Sequence, residues 1–282
     1  MIDLSDPIVP KSKKKEDLTM KFLILFIIAM LISSIGFKKF VWFISLGYGF
    51  SIAGAGIALI VMFSKNLTPI TLIMSILFII YGCRLGFYLL IRERKSASYQ
   101  STMKNEAKDG SDMNLFLKIV IWATCALLYC CEVSPVFFRL QNQSGTDAAA
   151  IIGAVIMACG ILLESAADFT KNNFKKEHPK QFCNVGLFKI VRCPNYLGEI
   201  FTWTGVFISG VTALHGGLQW AAALGGWICI VYIMFGGARR LEIRQNKNYG
   251  KDPEYQNYVK TTPILLPFIP LYSVEKYKWL VG

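Results

Sequence analysis

Apolar runs of near-bilayer length recur along this chain, and they restrict its fold more than any other feature. The runs Met20 to Phe37, Phe40 to Phe63, Thr68 to Ile91, Leu115 to Phe137, Ala148 to Ala167, Tyr196 to Leu214 and Leu218 to Gly237 hold few charges. Most approach the ~20 residues that a helix needs to cross the hydrocarbon core. Backbone in lipid must satisfy its own N–H and C=O groups, so each run is expected to be helical. The expected fold class is all-α: a polytopic membrane helix bundle of about seven transmembrane helices, followed by a cytosolic C-terminal tail. A hydrophobic share of 54% over 282 residues agrees, being above what soluble domains carry.

Charge then sets orientation. The connections before the second, fourth and sixth spans, together with the C-terminal tail, hold 21 Lys and Arg, against 6 on the opposite side. The positive-inside tendency places those connections in the cytosol. Lys11, Lys13, Lys14 and Lys15 oppose this at the amino terminus; were the first run not to span, only the amino terminus would change sides. No small-residue cleavage pattern follows that run, so it reads as an uncleaved first helix. The net charge of +12 does not indicate nucleic acid, because the basic residues lie in short connections where they set topology and meet anionic lipid. Eight cysteines without a C-x-x-C pair, with only His178 and His215 beside them, indicate neither a metal site nor a disulfide framework.

The hydrophilic residues inside the spans carry the functional information. Tyr81 and Arg84 are three apart in the third span, Glu164 and Asp168 four apart on the fifth, and Asn195 and Glu199 four apart on the sixth. Each pair lies on one side of its own helix. An acid in a membrane helix costs on the order of 2.5–3.5 kcal/mol on insertion scales, which makes such residues candidates for function. The alternative is that they are interhelical polar contacts worth ~0.6 kcal/mol each. All three pairs fall at the same cytosolic depth beside an Arg192-Cys193-Pro194 turn, so their faces are expected to converge on a polar cofactor head next to an apolar substrate cavity.

Lys171, Lys175, Lys176, Lys180, Lys189 and Arg192 gather between the fifth and sixth spans. They suit a phosphate-bearing ligand as well as the orientation rule. Gly54-Ala55-Gly56 lies inside an apolar run with no preceding strand and no third glycine, so a dinucleotide fingerprint is absent. No G-x-S-x-G elbow or H-E-x-x-H helix is present either, and any cofactor must be held by the helices themselves. After the seventh span the chain turns polar through Arg239, Arg240 and Glu242, then aromatic through Tyr249, Tyr255 and Tyr258, then proline-punctuated. It is expected to lie on the cytosolic face, anchored at the interface by Leu265, Leu266, Phe268 and Trp279. Such a tail can close over a cofactor, which makes Arg240 and Tyr255 candidate contacts to it.

Gly186-Leu187-Phe188, then Arg192-Cys193-Pro194-Asn195-Tyr196-Leu197-Gly198-Glu199 with Trp203, resembles the signature of the steroid 5-alpha-reductase family and its uncharacterised relatives. Glu164-Ser165-Ala166-Ala167-Asp168, Phe174-Lys175, Tyr249-Gly250 to Tyr258 and Pro263 to Pro267 add to the resemblance, with Tyr81 and Arg84-Leu85 adding a weaker part. The central motif is shared with sterol reductases and isoprenylcysteine methyltransferases. The resemblance implies a seven-helix bundle that binds NADPH from the cytosolic side and reduces a carbon-carbon double bond conjugated to a ketone. It divides the chain into a polar tail (1–19), a half on the substrate side (20–147) and a half with the cofactor site (148–282).

Carried over by position, it implies that Asn195 and Glu199 meet the nicotinamide end, with Glu199 catalytic. Arg84, Asp168, Lys175 and Arg192 would hold ribose or phosphate, and Glu164 stands where the steroid enzymes often have an amide. Tyr81 matches the tyrosine on the substrate ketone, where a phenol of pKa about 10 suits a developing enolate. Two departures stand out: Phe40 to Phe63 lacks the acid that partners this tyrosine in the steroid enzymes, and Cys193 replaces a common histidine. The expected function is an NADPH-dependent membrane reductase of a lipophilic enone. The expected partners are membrane lipid and a lipophilic small molecule, with no soluble protein, in the endoplasmic reticulum if the source is eukaryotic. An S-adenosylmethionine-dependent methyltransferase and a non-catalytic lipid- or sterol-binding bundle are the alternatives.

Overall fold

The computed structural model describes residues 11–95 and 113–281. Among these are eight α-helices and no strand: α1 Lys11–Ser33, α2 Leu46–Met62, α3 Pro69–Lys95, α4 Leu115–Gln141, α5 Ala148–Glu177, α6 Pro194–Gly210, α7 Gly216–Tyr249 and α8 Pro253–Thr261. Six helical stretches among them are long and apolar enough to cross a membrane: Glu16–Phe37, Phe40–Met62, Pro69–Arg94, Leu115–Gln141, Ala148–Glu177 and Gly216–Tyr249. The chain is therefore a polytopic, all-helical membrane protein. The side chains of Lys11 to Lys15, and residues 96–112 with part of the basic charge expected before the fourth helix, lie outside the described residues.

Several helix ends differ from those the apolar runs suggest. The second run opens as a short 3-10 turn, Phe40–Phe43, and the α-helix starts only at Leu46. Helix α5 continues past Ala167 to Glu177, and α7 continues past Gly237 to Tyr249. Both extensions are polar helix that hydropathy alone does not reveal. Helix α6 has 17 residues, as few as the shortened α2 and fewer than the other expected spans. At 1.5 Å per residue it is about 25 Å long, less than the ~30 Å hydrocarbon core.

The chain forms two compact units, Met1–Val133 with Phe137–Gly145, and Ser134–Val136 with Thr146–Gly282. In the first, Asp17 near the start of α1 accepts from Gln141 Nε2 at 3.0 Å, so α1 begins at the end where α4 finishes. Glu93 near the end of α3 takes an ion pair from Lys39 and accepts from Trp42 Nε1 at 2.8 Å, which ties the α1–α2 connection to that opposite end. This is the alternation expected of successive spans. Helices α2 and α3 touch along glycines: a Cβ on Gly82 would lie 2.3 Å from Gly49 O and 2.5 Å from Ala53 N.

In the second unit, α5 and α6 touch along a similar seam. A Cβ on Gly160 would lie 2.4 Å from Thr202 N, and one on Gly198 would lie 2.6 Å from Glu164 N. Close backbone approach through small residues is how membrane helices gain packing where lipid offers no hydrophobic drive. The α6 and α7 helices share a core with the C-terminal segment through Leu197, Ile200, Ala238, Leu241, Leu265 and Val274.

Candidate functional site

The seam between α5 and α6 sets the geometry of the site. Gly198 packs on Glu164, whose N and Cβ would be 2.6 and 2.7 Å from a Cβ at that position. Glu199 follows directly and Asn195 stands one turn earlier, while Asp168 stands one turn beyond Glu164. Glu164, Asp168 and Glu199 are 5%, 8% and 4% exposed, so three carboxylates are withdrawn from water within one unit. Glu199 Oε1 accepts from Trp203 Nε1 at 3.1 Å, one turn along the same helix. Gly198, which directly precedes Glu199, thus meets Glu164 across the two helices. Tyr81 and Arg84 stand on α3 of the first unit, buried and half-buried respectively.

The turn before α6 is bound to the C-terminal segment. Arg192 N and Cys193 N donate to Pro263 O and Ile264 O, both at 2.9 Å. Pro194 occupies the first helical position and Cys193 provides no side-chain cap. Burial pushes the Cys193 thiol up to about 12, against the pull of the Arg192 guanidinium, so it stays a neutral packing group. Arg192, expected at ribose or phosphate, donates from Nη2 to Glu242 Oε1 at 2.8 Å and to Tyr272 O. The pair is sealed, with side chains 1% and 0% exposed. Glu242 Oε2 in turn accepts from Val274 N at 2.8 Å and Glu275 N at 3.0 Å. Among the described residues, Arg192 Nε and Nη1 are buried without a hydrogen-bond partner, as is Asn195 Oδ1.

Three further candidates have protein surroundings of their own. Lys175 donates to Gln181 O, to Pro179 O at 3.4 Å and to Tyr249 OH at 3.0 Å. Its donors hold the turn after α5. Tyr255 packs edge to face on Phe182 and at a tilt on Tyr249, and its phenol donates to Asn246 Oδ1 at 2.7 Å. Burial pushes that phenol up to about 12, with the nearby Arg192 guanidinium opposing the rise. Tyr255 is therefore a packing residue that borders the arginine. Arg240 is exposed on α7. In the tail, Leu265 is fully buried and Leu266 half-buried in the core, so of the four proposed interface anchors only Phe268 and Trp279 face outward.

Two residues were not read as site residues from the sequence. Glu242 appeared only as one acid in a charged helix, and its partner lies fifty residues away, so no local pattern could pair them. Tyr48 lies within the second apolar run, and its phenol accepts from Tyr81 at 3.0 Å. Its signal was available: a phenol beside Gly49, inside a run with no acidic or basic residue.

Comparison with protein families finds one that matches residues 25–262, described as a protein of unknown function, DUF1295. No curated protein and no solved structure matches the chain.

Proposed function

The chain belongs to the DUF1295 family, and from that premise we propose that it is an NADPH-dependent membrane reductase of a carbon-carbon double bond conjugated to a carbonyl, in a lipophilic substrate. The observation that carries this reading is the acid-and-amide face gathered by the Gly160–Gly198 contact. Glu164, Asp168 and Glu199 offer only acceptors when ionised. They suit a ligand rich in donors, such as the hydroxyls of a ribose and the amide of a nicotinamide. Arg192 Nε and Nη1 supply the opposite need, buried donors with no hydrogen-bond partner among the described residues, and such donors suit a phosphate oxygen. Asn195 Oδ1 is an acceptor in the same condition. The residues present therefore fit a nicotinamide dinucleotide at both its polar ends.

When bound, NADPH would supply a hydride. The protein's part is to bind and to orient. Asn195 and Glu199 would hold the nicotinamide amide, with Trp203 fixing the Glu199 carboxylate; Glu164 and Asp168 would take ribose hydroxyls, and Arg192 would face phosphate. Arg84, which the resemblance also assigns to the cofactor, and Tyr81, assigned to the substrate carbonyl, belong to the first unit. The cofactor side would lie in the cytosol.

Mass spectrometry of small molecules retained after gentle detergent purification tests this directly. NADP recovered supports the reductase; S-adenosylmethionine or its product would replace it with a methyltransferase, and neither would leave a lipid-binding bundle. Glu199→Gln keeps the shape and the acceptor for Trp203, yet is expected to abolish NADPH retention. Unaltered retention in that variant removes Glu199 from the site.

A further inference from the structure

The strap from Tyr272 to Val281 runs back along α7 rather than resting on its end. Its ties step from the polar extension of that helix into its apolar run. Asn246 Nδ2 donates to Glu275 Oε2 at 2.7 Å, Arg239 Nε to Glu275 O at 3.0 Å and Arg239 Nη1 to Leu280 O at 3.4 Å. Tyr232 closes the series, donating to Trp279 O at 2.6 Å and accepting from Val281 N at 3.1 Å. At 1.5 Å per residue, Tyr232 stands about 7 Å inside the apolar run that ends at Gly237. Backbone polar groups at that depth need protein partners, and α7 supplies them. Trp279, 65% exposed, stacks on Tyr232 with centroids 6.2 Å apart, and Val281 beside it is 71% exposed.

We propose that this strap and the adjoining turns of α7 form a docking surface for anionic phospholipid. The side chains change along it as a bilayer does. Ile228 is exposed one turn before Tyr232, the Tyr232–Trp279 pair follows, and Lys276 and Lys278 are exposed on the strap between its ties to Arg239 and Tyr232. Amphipathic rings settle where hydrocarbon meets head groups, and basic side chains beside them meet lipid phosphate. Lys276 Nζ lies over the Tyr277 ring at 5.1 Å, and Tyr277 packs at a tilt on Trp279 at 6.3 Å, so basic and aromatic groups make one surface. The strap and α7 hold one acid each, Glu275 and Glu242. Glu275 accepts from Asn246, and Glu242 is sealed against Arg192. The surface is therefore basic, and it favours an anionic head over a zwitterionic one that brings its own ammonium. The inference does not depend on what the α5–α6 seam binds.

The test titrates the full-length protein in detergent with dioleoylphosphatidylserine and, separately, with dioleoylphosphatidylcholine, reading bound lipid by native mass spectrometry. The wild type is expected to hold phosphatidylserine more tightly. A basic residue at a membrane surface contributes about five-fold to binding, so Lys276→Gln with Lys278→Gln should lower phosphatidylserine affinity roughly 25-fold. Phosphatidylcholine affinity should stay near its wild-type value in that variant, whereas Trp279→Ala should weaken both lipids. Lys251→Gln with Lys260→Gln removes the same charge from exposed positions off the strap and should leave the preference intact. Equal retention of the two lipids by the wild type, or as large a loss in the Lys251 and Lys260 variant, overturns the surface. Displacement of phosphatidylserine by millimolar inorganic phosphate overturns lipid as its occupant.

Discussion

In the first unit the Gly49–Gly82 contact stands beside two phenols, and in the second the Gly160–Gly198 contact stands beside two carboxylates, Glu164 and Glu199. Both seams achieve the same thing mechanically, bringing helix backbones close enough that residues next to the glycines must meet. Their chemistry differs. Phenols are neutral donors and acceptors at once, so Tyr48 and Tyr81 can answer each other. Ionised carboxylates are acceptors only, and Glu199 takes the Trp203 indole N–H. The Arg192 guanidinium beside the α6 turn has one face on Glu242.

The largest effect is expected at the sealed Arg192–Glu242 ion pair of the second unit. Glu242→Gln leaves Arg192 charged in a place with almost no water, and removing one partner of a buried pair costs about 3–5 kcal/mol. It also weakens the acceptor for Val274 N and Glu275 N, so the C-terminal segment loses its hold. Thermal unfolding in detergent and protease cleavage between 262 and 281 report the two consequences. A variant that melts like the wild type with the segment still protected would show that the pair is a passenger. The segment would then be held by its contacts to Arg239 and Tyr232 instead.

The seams themselves come next. Gly198→Ala places a methyl group 2.6 Å from Glu164 N, against backbone that cannot swing aside, and overpacking of this kind costs about 1–3 kcal/mol. Because the shift moves Glu164 relative to Glu199, NADPH retention should fall with stability. Gly82→Ala places its methyl 2.3 Å from Gly49 O and should destabilise by a similar amount. It should disturb enone binding while NADPH retention survives in the protein that stays folded. If the two variants lose the same ligand, the assignment of carbonyl to one seam and cofactor to the other is wrong.

What the sequence disclosed follows the same division. The apolar runs showed the spans because hydropathy is a property of the run itself. They missed the ends of α5 and α7, where the helix leaves lipid and continues as polar turns. The i, i+4 spacing of Glu164 with Asp168 and of Asn195 with Glu199 was legible, since a helix fixes which side chains share a side. The reason for Gly198 was not, because a close approach needs knowledge of the neighbour. Arg192 and Lys175 were assigned to a ligand on charge and position alone. Their partners, Glu242 and the Gln181 carbonyl with Tyr249, are supplied by tertiary packing that no local pattern encodes.

A finer test of the second seam is Trp203→Phe, which keeps the ring in place and deletes the donor 3.1 Å from Glu199 Oε1. A hydrogen bond to a charged group contributes about 1.5–3 kcal/mol, so NADPH affinity should weaken roughly ten-fold or more if the carboxylate must be aimed. Thermal stability should change less than in the glycine variants. Equal affinity would mean that Glu199 is oriented from elsewhere on the acid face.

The smallest effect is expected at Arg240, and it separates charge from position. Its neighbour on α7, Arg239, donates to Glu275 O at 3.0 Å, and Glu242, two residues on, closes the ion pair with Arg192. Arg240 is exposed, on a helix whose other flanking charges are committed to the C-terminal segment. An exposed substitution away from a packed feature usually changes stability by within about 0.5 kcal/mol. Arg240→Ala should therefore leave unfolding and NADPH retention near wild-type values at ordinary salt, where an exposed charge is screened beyond about 10 Å. A ten-fold loss of retention at moderate salt, with unfolding unchanged, would bring this guanidinium into the cofactor site. The boundary of that site would then have to extend from the α5–α6 seam along the polar extension of α7.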